Sequence, residues 1–567
     1  MNRIGNVLVG VLAALSLCGT AGAAEPSGDA GNLVKTIKVL PDKAPDCSSL
    51  KSIVDTVTRD CKCNDDKMIA IDNFMRISHY HRAYPPAGPA LLWFNNYGWS
   101  LCGGLANLQE SLYSQIPGWS WRHVGWPGHN MSEAKYDGAW HWVDCFQKYY
   151  TWRPDPNAPN GRTIACQDDI SANPALFDVD QVFDEKEKVT YMKNNRKDML
   201  VDGHLNWMAP VFLTCGDGGE SAAVKKRHID AEETVMHDDW KPAAYSAELN
   251  LRPGFSMENS WDQLATPEES WPVKDNQKPG HTCGNKDIRN DPGCGPVLEP
   301  YFQRVRSYSN GQLSFVADFS SDAILKSFAA IENAKIEGGA LVPVKADAPA
   351  SVTVTFESPY RIVNITGTAD GAENFENTVK GASDHAKGQL KADVKITFKT
   401  ALKSLRLDTI VMNNSGALPF LSPGKNKVAV TLADPKALGA NKLVVTYVYA
   451  NGFRDKSYED LVKEGRRLAI QAYATWTTNT PVVVQKTFTA KDLPATFDID
   501  CPTPKDKFPV YPRMFFLRRE ILTPAGKPLP LPENAQAYKP ASADELKTLP
   551  NPFLVGTQPP PPAADAK

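Results

Sequence analysis

The sequence predicts an α+β protein: a helical, aromatic-rich first part followed by an all-β sandwich region. Three observations carry this. Apolar residues between Ser48 and Arg82 recur mostly at three- and four-residue spacing, the period of a helix. Asp137-Gly138, flanked by aromatic residues, is a strong hairpin signal. Eight short runs between Gln312 and Ala450 are rich in Val, Ile and Thr and separated by turn residues, as strands are.

Composition narrows the class. The chain has 567 residues, 42% hydrophobic and 22% charged, an ordinary globular balance with room for about three to four domains. Lys and Arg number 62 against 65 Asp and Glu, a net charge of -3. Such a chain has no broad positive footprint for nucleic acid.

Residues 1–24 read as a signal peptide. Arg3 supplies the positive start, Ile4 to Leu17 the apolar stretch, and Ala21-Gly22-Ala23 the small-residue cleavage pattern. Leu17 before Cys18 argues against a lipoprotein. No later stretch reaches the ~18 apolar residues of a transmembrane helix. The expectation is an exported protein, periplasmic or secreted. Ten cysteines follow Cys18, which fits an oxidising compartment and predicts disulfides. Cys283 with Cys294 is the first expected pair; Cys47 with Cys61 or Cys63, and Cys145 with Cys166, are further ones.

Residues 25–46 read as a linker. Ile53, Val54 and Val57, then Met68, Ile69, Ile71, Phe74, Met75 and Ile77, predict two helices opening a domain over 47–200. Residues 201–300, polar and rich in Asp, Pro, Asn and Gly, read as a loop-rich extension. A β-sandwich module is expected over 301–522. Its runs are Gln312 to Phe319, Ala340 to Val344, Ser351 to Phe356, Tyr360 to Thr366, Lys391 to Phe398, Leu405 to Met412, Lys427 to Leu432 and Lys442 to Ala450. A helix over Tyr458 to Ala474 and further strands to Leu522 follow. Residues 523–567 read as a Pro/Ala-rich tail or spacer.

The chemistry is concentrated in two segments. In Tyr97-Gly98-Trp99-Ser100-Leu101-Cys102-Gly103-Gly104, Cys102 opens a helix whose buried stripe is Leu105, Leu108, Leu112 and Ile116, with Ser100 as the expected cap. A thiol there feels the positive end of the helix dipole, which favours thiolate. Gly103 and Gly104 leave the backbone uncrowded for a substrate carbonyl. Taken alone, Cys102 reads equally well as a small apolar residue atop a buried stripe.

The second segment runs from Gly128-His129 to Trp142-Val143-Asp144. With Asp137-Gly138 as the loop, Tyr136 faces Ala139 and Met131 faces Asp144. His129 then lies diagonally from Asp144 on one face, where an acid can orient an imidazole. The same register turns His141 to the opposite face and makes it the weaker base.

Together these segments resemble the transglutaminase-like (papain-like thiol) superfamily, as an exported bacterial member. Cys102, Gly128-His129, the Asp137-Gly138 turn and Trp140-His141-Trp142-Val143-Asp144 match its pattern in order and spacing, over roughly residues 60 to 150. The resemblance implies a papain-like/transglutaminase-like core in 47–200. It also implies Cys102 as nucleophile, His129 as general base and acid, and Asp144 as the orienting carboxylate. The expected activity is acyl transfer through a Cys102 thioester formed from an amide of a protein or peptide substrate. An amine or water then resolves it, with no cofactor or metal. The oxyanion donors are expected to be the Cys102 N–H and an upstream group, with Trp93, Asn95 and Asn96 as candidates. The alternative is a non-catalytic protein of the same fold whose β-sandwich binds a protein or glycan.

Other polar residues read as structural. His79 and His81, two apart on a helix, do not share a metal. His228, Asp230, His237, Asp238 and Asp239 read as solvated loop. Asn130, Asn364 and Asn413 stand in glycosylation sequons. Tyr149, Tyr150 and Trp152 either line a cleft or cap the core.

Overall fold

The computed structural model describes residues 33–81, 88–126, 129–145, 150–173, 176, 180–184, 189–193, 228–229, 245–261, 311–379, 389–456, 480–549 and 551–554. The chain folds as a helix-poor, strand-rich α+β protein. After β1 (Lys38–Pro41), α1 (Leu50–Val57) starts at Ser49, whose hydroxyl accepts the Ser52 N–H while Ser52 caps it in return. α2 (Asn64–Ser78) carries Asp65 and Asp66 in its first turn and Arg76 in its last, matching the helix dipole. Its apolar residues from Met68 to Ile77 are buried. β2 (Tyr80–His81), α3 (Ala90–Asn96), β3 (Trp99–Ser100) and α4 (Cys102–Tyr113) follow. β2 and β3 pair in parallel, Tyr80 opposite Trp99, fixing the backbone just ahead of Cys102.

α4 packs on a sheet built from β4 (Ser120–Trp126), β5 (His129–Tyr136) and β6 (Ala139–Trp142). Asp137 and Gly138 form the two-residue loop, with φ of 49° and 80°. Two positive φ angles give the turn that matches strand twist, and glycine takes one without strain. Tyr136 pairs with Ala139 and Glu133 with Trp142. Beyond lie the pair β7 (Trp152–Pro154) with β8 (Arg162–Ile164), α5 (Gln167–Ala172), and the pair β9 (Asp180–Asp184) with β10 (Val189–Lys193). β11 (His228–Ile229) adds to the outer edge of β4.

The remaining strands are β12 (Phe255–Ser260), β13 (Gly311–Val316), β14 (Ala330–Glu332), β15 (Ala334–Glu337), β16 (Ala340–Pro343), β17 (Ala350–Glu357), β18 (Arg361–Asp370), β19 (Asn374–Asn377), β20 (Lys391–Phe398), β21 (Ser404–Met412), β22 (Gly424–Thr431), β23 (Lys442–Ala450), β24 (Phe453–Arg454), β25 (Val482–Phe488), β26 (Ala495–Cys501), β27 (Phe508–Pro509), β28 (Arg513–Leu522) and β29 (Gln536–Ala537). One sheet has the order β18-β21-β13-β12-β28-β23-β25-β29, another β14-β17-β20-β19. Phe255 of the first meets Phe356 of the second at 5.6 Å, edge to face. On β20, Val394, Ile396 and Phe398 are buried, while Lys395 between them and Lys391 before them are exposed.

All eight expected runs are strands, but the expected boundaries shift. β1, inside the expected linker, pairs with β22 in the sheet β1-β22-β26. β12, inside the expected loop-rich extension, lies between β13 and β28. The expected tail holds β29, parallel to β25, and Phe553, which is buried against Phe74 and Phe420. In each case tertiary pairing outweighs local composition. The signal peptide, the Tyr458 to Ala474 helix and the Cys283–Cys294 pair lie outside the described residues. Among the described residues no helix is long and apolar enough to cross a membrane.

Candidate active site

Cys102 is the first residue of α4 and is part-exposed. The cap is the extended Leu101, not Ser100, and it offers no side-chain bond to the helix start. Ser100 is instead buried against the first turn. A Cβ on Gly104 would overlap Ser100 Oγ and come within 3.1 Å of the Trp93 ring. Gly104 therefore serves close packing of the helix start rather than access for substrate. The expected stripe is present: Leu105, Leu108, Leu112 and Ile116 are buried.

α4 runs in the direction of β5. The Ser132 hydroxyl donates to Gln109 Oε1 at 3.3 Å, and further along Tyr113 packs on Trp119, which stacks on Tyr136. From Gln109 back to Cys102 is seven helical residues, about 10 Å. From Ser132 back to His129 is three strand residues, also about 10 Å. Cys102 and the backbone of His129 thus open their elements at the same end of the layer. Asp144 stands two residues past the end of β6, which runs antiparallel to β5. It is 3% exposed. Cys102 and the start of β5 thus share one end of the layer, and Asp144 follows the strand that runs back toward that end.

The packing behind this end is charged. Glu110 of α4 and His123 of β4 meet at 2.9 Å. Arg122 and Glu133, opposite each other on β4 and β5, pair at 2.5 Å, and the Arg122 guanidinium lies over the Trp140 ring at 4.2 Å. On α2, Asp72 and Arg76 form a buried pair at 3.8 Å.

His141 is occupied by the fold. Its Nδ1 lies 2.7 Å from the Ile164 carbonyl, its Nε2 3.2 Å from the Tyr136 carbonyl, and its ring stacks on Tyr136 at 3.7 Å. Burial lowers its pKa, outweighing the opposing pull of these carbonyls and of Asp65 at 4.0 Å. Asp65 itself accepts from the Tyr136 hydroxyl, the Thr163 hydroxyl and the Ile164 N–H. Beyond an acid in a first helical turn, no local pattern signals this network, because its partners lie on separate elements.

The expected disulfides Cys145–Cys166 and Cys47 with Cys61 or Cys63 are absent; these residues are thiols. Burial pushes the thiols of Cys61, Cys63 and Cys166 up to about 12, 11 and 12. It raises Cys47, Cys145 and Cys501 further, and Asp72 and Asp144 add to the effect at Cys145.

Two oxyanion candidates are committed elsewhere. The Asn95 amide donates to the Cys47 and Leu91 carbonyls, at 3.0 and 2.9 Å. The Asn96 amide donates to the Pro359 carbonyl at 3.0 Å and accepts the Arg361 N–H at 2.7 Å. Trp93 is buried and edge-on to Tyr97. His79 is buried beside the Ser78 hydroxyl at 2.8 Å. Tyr150 is buried, edge-on to Trp152, and caps the core; Tyr149 lies outside the described residues. Asn413 is buried, which bars a glycan there in the folded chain, whereas Asn364 is exposed. Among the described residues no three His, Cys, Asp or Glu side chains gather as a metal site.

Comparison with protein-family models, with curated proteins and with solved structures returns no match.

Proposed function

We propose that this chain is an exported thiol enzyme with a papain-like, transglutaminase-like core and a β-sandwich region, acting on amide bonds of a protein or peptide. In this reading His129 takes the Cys102 proton, and the thiolate attacks the amide carbonyl carbon. The C–N bond breaks, the nitrogen leaves with the proton from His129, and the acyl group stays on sulfur as a thioester. Asp144 orients and stabilises the imidazolium. A second amine, or water, then attacks the thioester, gives a proton to His129 and frees the thiol. The Cys102 N–H at the helix start faces the developing oxyanion.

The observation that supports this reading is the convergence of three element ends. A part-exposed cysteine opens α4 at the level where β5 begins, and Asp144 follows β6 at that same end. The six other described cysteines have thiols raised by burial, which makes them poor nucleophiles. The test is intact-mass labelling with iodoacetamide across pH, with peptide mapping. Cys102 should alkylate first near neutral pH, and His129→Ala should slow it. Equal rates for Cys102 in the native and the unfolded chain would overturn the proposal.

A further inference from the structure

The start of α4 has little local support. Leu101 gives no side-chain cap, and the buried Ser100 hydroxyl has no hydrogen-bond partner among the described residues. The end of α3, just ahead of α4, is held from the β-rich part of the chain, 320 residues later. The Asn414 backbone N–H donates to the Asn95 carbonyl at 2.8 Å, and its side-chain amide donates to the Phe94 carbonyl at 2.9 Å. These are two of the carbonyls that the end of α3 leaves without a helical partner. Asn414 therefore caps α3 from outside its own segment.

The same loop grips the other chain feeding the β2–β3 pair. A Cβ on Gly416 would lie 2.6 Å from the Ile77 carbonyl oxygen and 2.7 Å from Ser78 Cα, so backbone rests on backbone there. Asn414 Oδ1 accepts the Gly416 N–H at 3.1 Å and would lie 2.9 Å from a Cβ on Gly98. A second anchor holds Asn96 between Pro359 and Arg361, and the Arg361 guanidinium lies 5.1 Å from the buried Tyr97 ring. Both strands of the pair that delivers Cys102 are thus held by residues 359–361, Asn414 and Gly416.

We infer that Asn414, with its loop, is a positioning residue for Cys102: the β-rich part sets where the nucleophile helix begins. This rests on the thiol-enzyme reading above. Loosening Asn414 frees the α3 end and the β2–β3 pair to shift. A displacement of that kind moves the thiol relative to its imidazole, and such misplacements are felt strongly in reactivity.

The test is the pH profile of Cys102 alkylation by iodoacetamide in the full-length protein, read alongside thermal melting. The variants are Asn414→Ala and Asn96→Ala, which cut the two anchors separately, with Val394→Ala as a stability control. Val394 is buried on β20, in a sheet that contains neither Asn96 nor Asn414. Each anchor variant should slow Cys102 labelling at neutral pH by about tenfold or more and move the profile to higher pH. Val394→Ala should lower the melting temperature and leave the profile in place. If one anchor variant fails to fold, the other carries the test. A wild-type Cys102 that labels faster than the unfolded chain, with an unmoved profile in the folded anchor variants, overturns the positioning role and leaves the enzyme reading standing. A wild-type Cys102 no faster than in the unfolded chain overturns the enzyme reading, and the positioning role falls with it.

Discussion

The Tyr136 hydroxyl donates to the Asp65 carboxylate at 2.6 Å, tying the end of β5 to the first turn of α2. Both residues are buried. A hydrogen bond to a buried charge contributes about 1.5–3 kcal/mol. Tyr136→Phe should lower stability by about that amount in a urea titration, and Asp65→Ala by more, since it also strands the Thr163 hydroxyl and the Ile164 N–H. An unchanged midpoint in Tyr136→Phe would show that the bond adds nothing.

Arg122 and Glu133 are buried together, and Glu133 also accepts the Gln167 N–H at 2.9 Å. Removing Glu133 takes away the buried partner of Arg122 and leaves it the exposed Asp168 at 3.5 Å. Glu133→Leu should cost about 3–5 kcal/mol, and Arg122→Met with Glu133→Leu should recover much of it. A double variant as unstable as the single one would contradict this account.

His141 predicts a pH dependence. Its folded pKa lies below the unfolded value because the ring is buried, so between the two values the unfolded chain binds more protons. Its contribution is fully present above about pH 6.5 and is lost as pH falls toward the folded pKa. The urea midpoint should drop between pH 7 and pH 5, and the drop should be smaller in His141→Gln. Parallel slopes would exclude His141 as the source.

Under the proposed chemistry, Cys102→Ala abolishes the covalent acyl-enzyme and His129→Ala nearly does so. Asp144→Asn lowers turnover but leaves some, because the carboxylate orients His129 without moving protons. Losses combined in one chain should not add. His141→Ala should be milder than His129→Ala. Thioester trapping with an amine probe and a glutamine-containing protein, read by mass, checks this; the reverse order would reassign the base.

Residues 301–522 should not fold alone. β12 supplies the ladder partner of both β13 and β28, and β1 covers an edge of β22. Expressed by itself that segment should show no cooperative melt, while the chain from residue 33 onward should. A cooperative melt of 301–522 would mean that β13 and β28 can close without β12.

What the sequence made legible is what repeats or turns sharply. Val394, Ile396 and Phe398 alternate with polar residues and lie on one buried face, and Asp137-Gly138 set the hairpin register. β12 was invisible because its polar residues look like loop: Glu258 is matched by Arg518 at 2.8 Å, and Asn259 by Arg519, 260 residues away. β1 has four residues and ends in proline, too little for a pattern. At the candidate site, the opening of α4 at Cys102 was readable from its stripe. Its support by Asn414 was not, because no local pattern links residues this distant.

Phe553 closes the face of α2 between Phe74 and Phe420, and its carbonyl accepts from Asn73, 480 residues earlier. Synthesis delivers α2 long before its cover. The helix layer that holds Cys102 must therefore wait, with apolar surface open, until residue 553 has emerged. Contacts of this span are also slow to form. A ribosome-bound chain halted before residue 553 should hold its early helices loosely, accessible to chaperones and proteases. Completion of the thiol-bearing layer thereby waits on a residue made long after Cys102 itself.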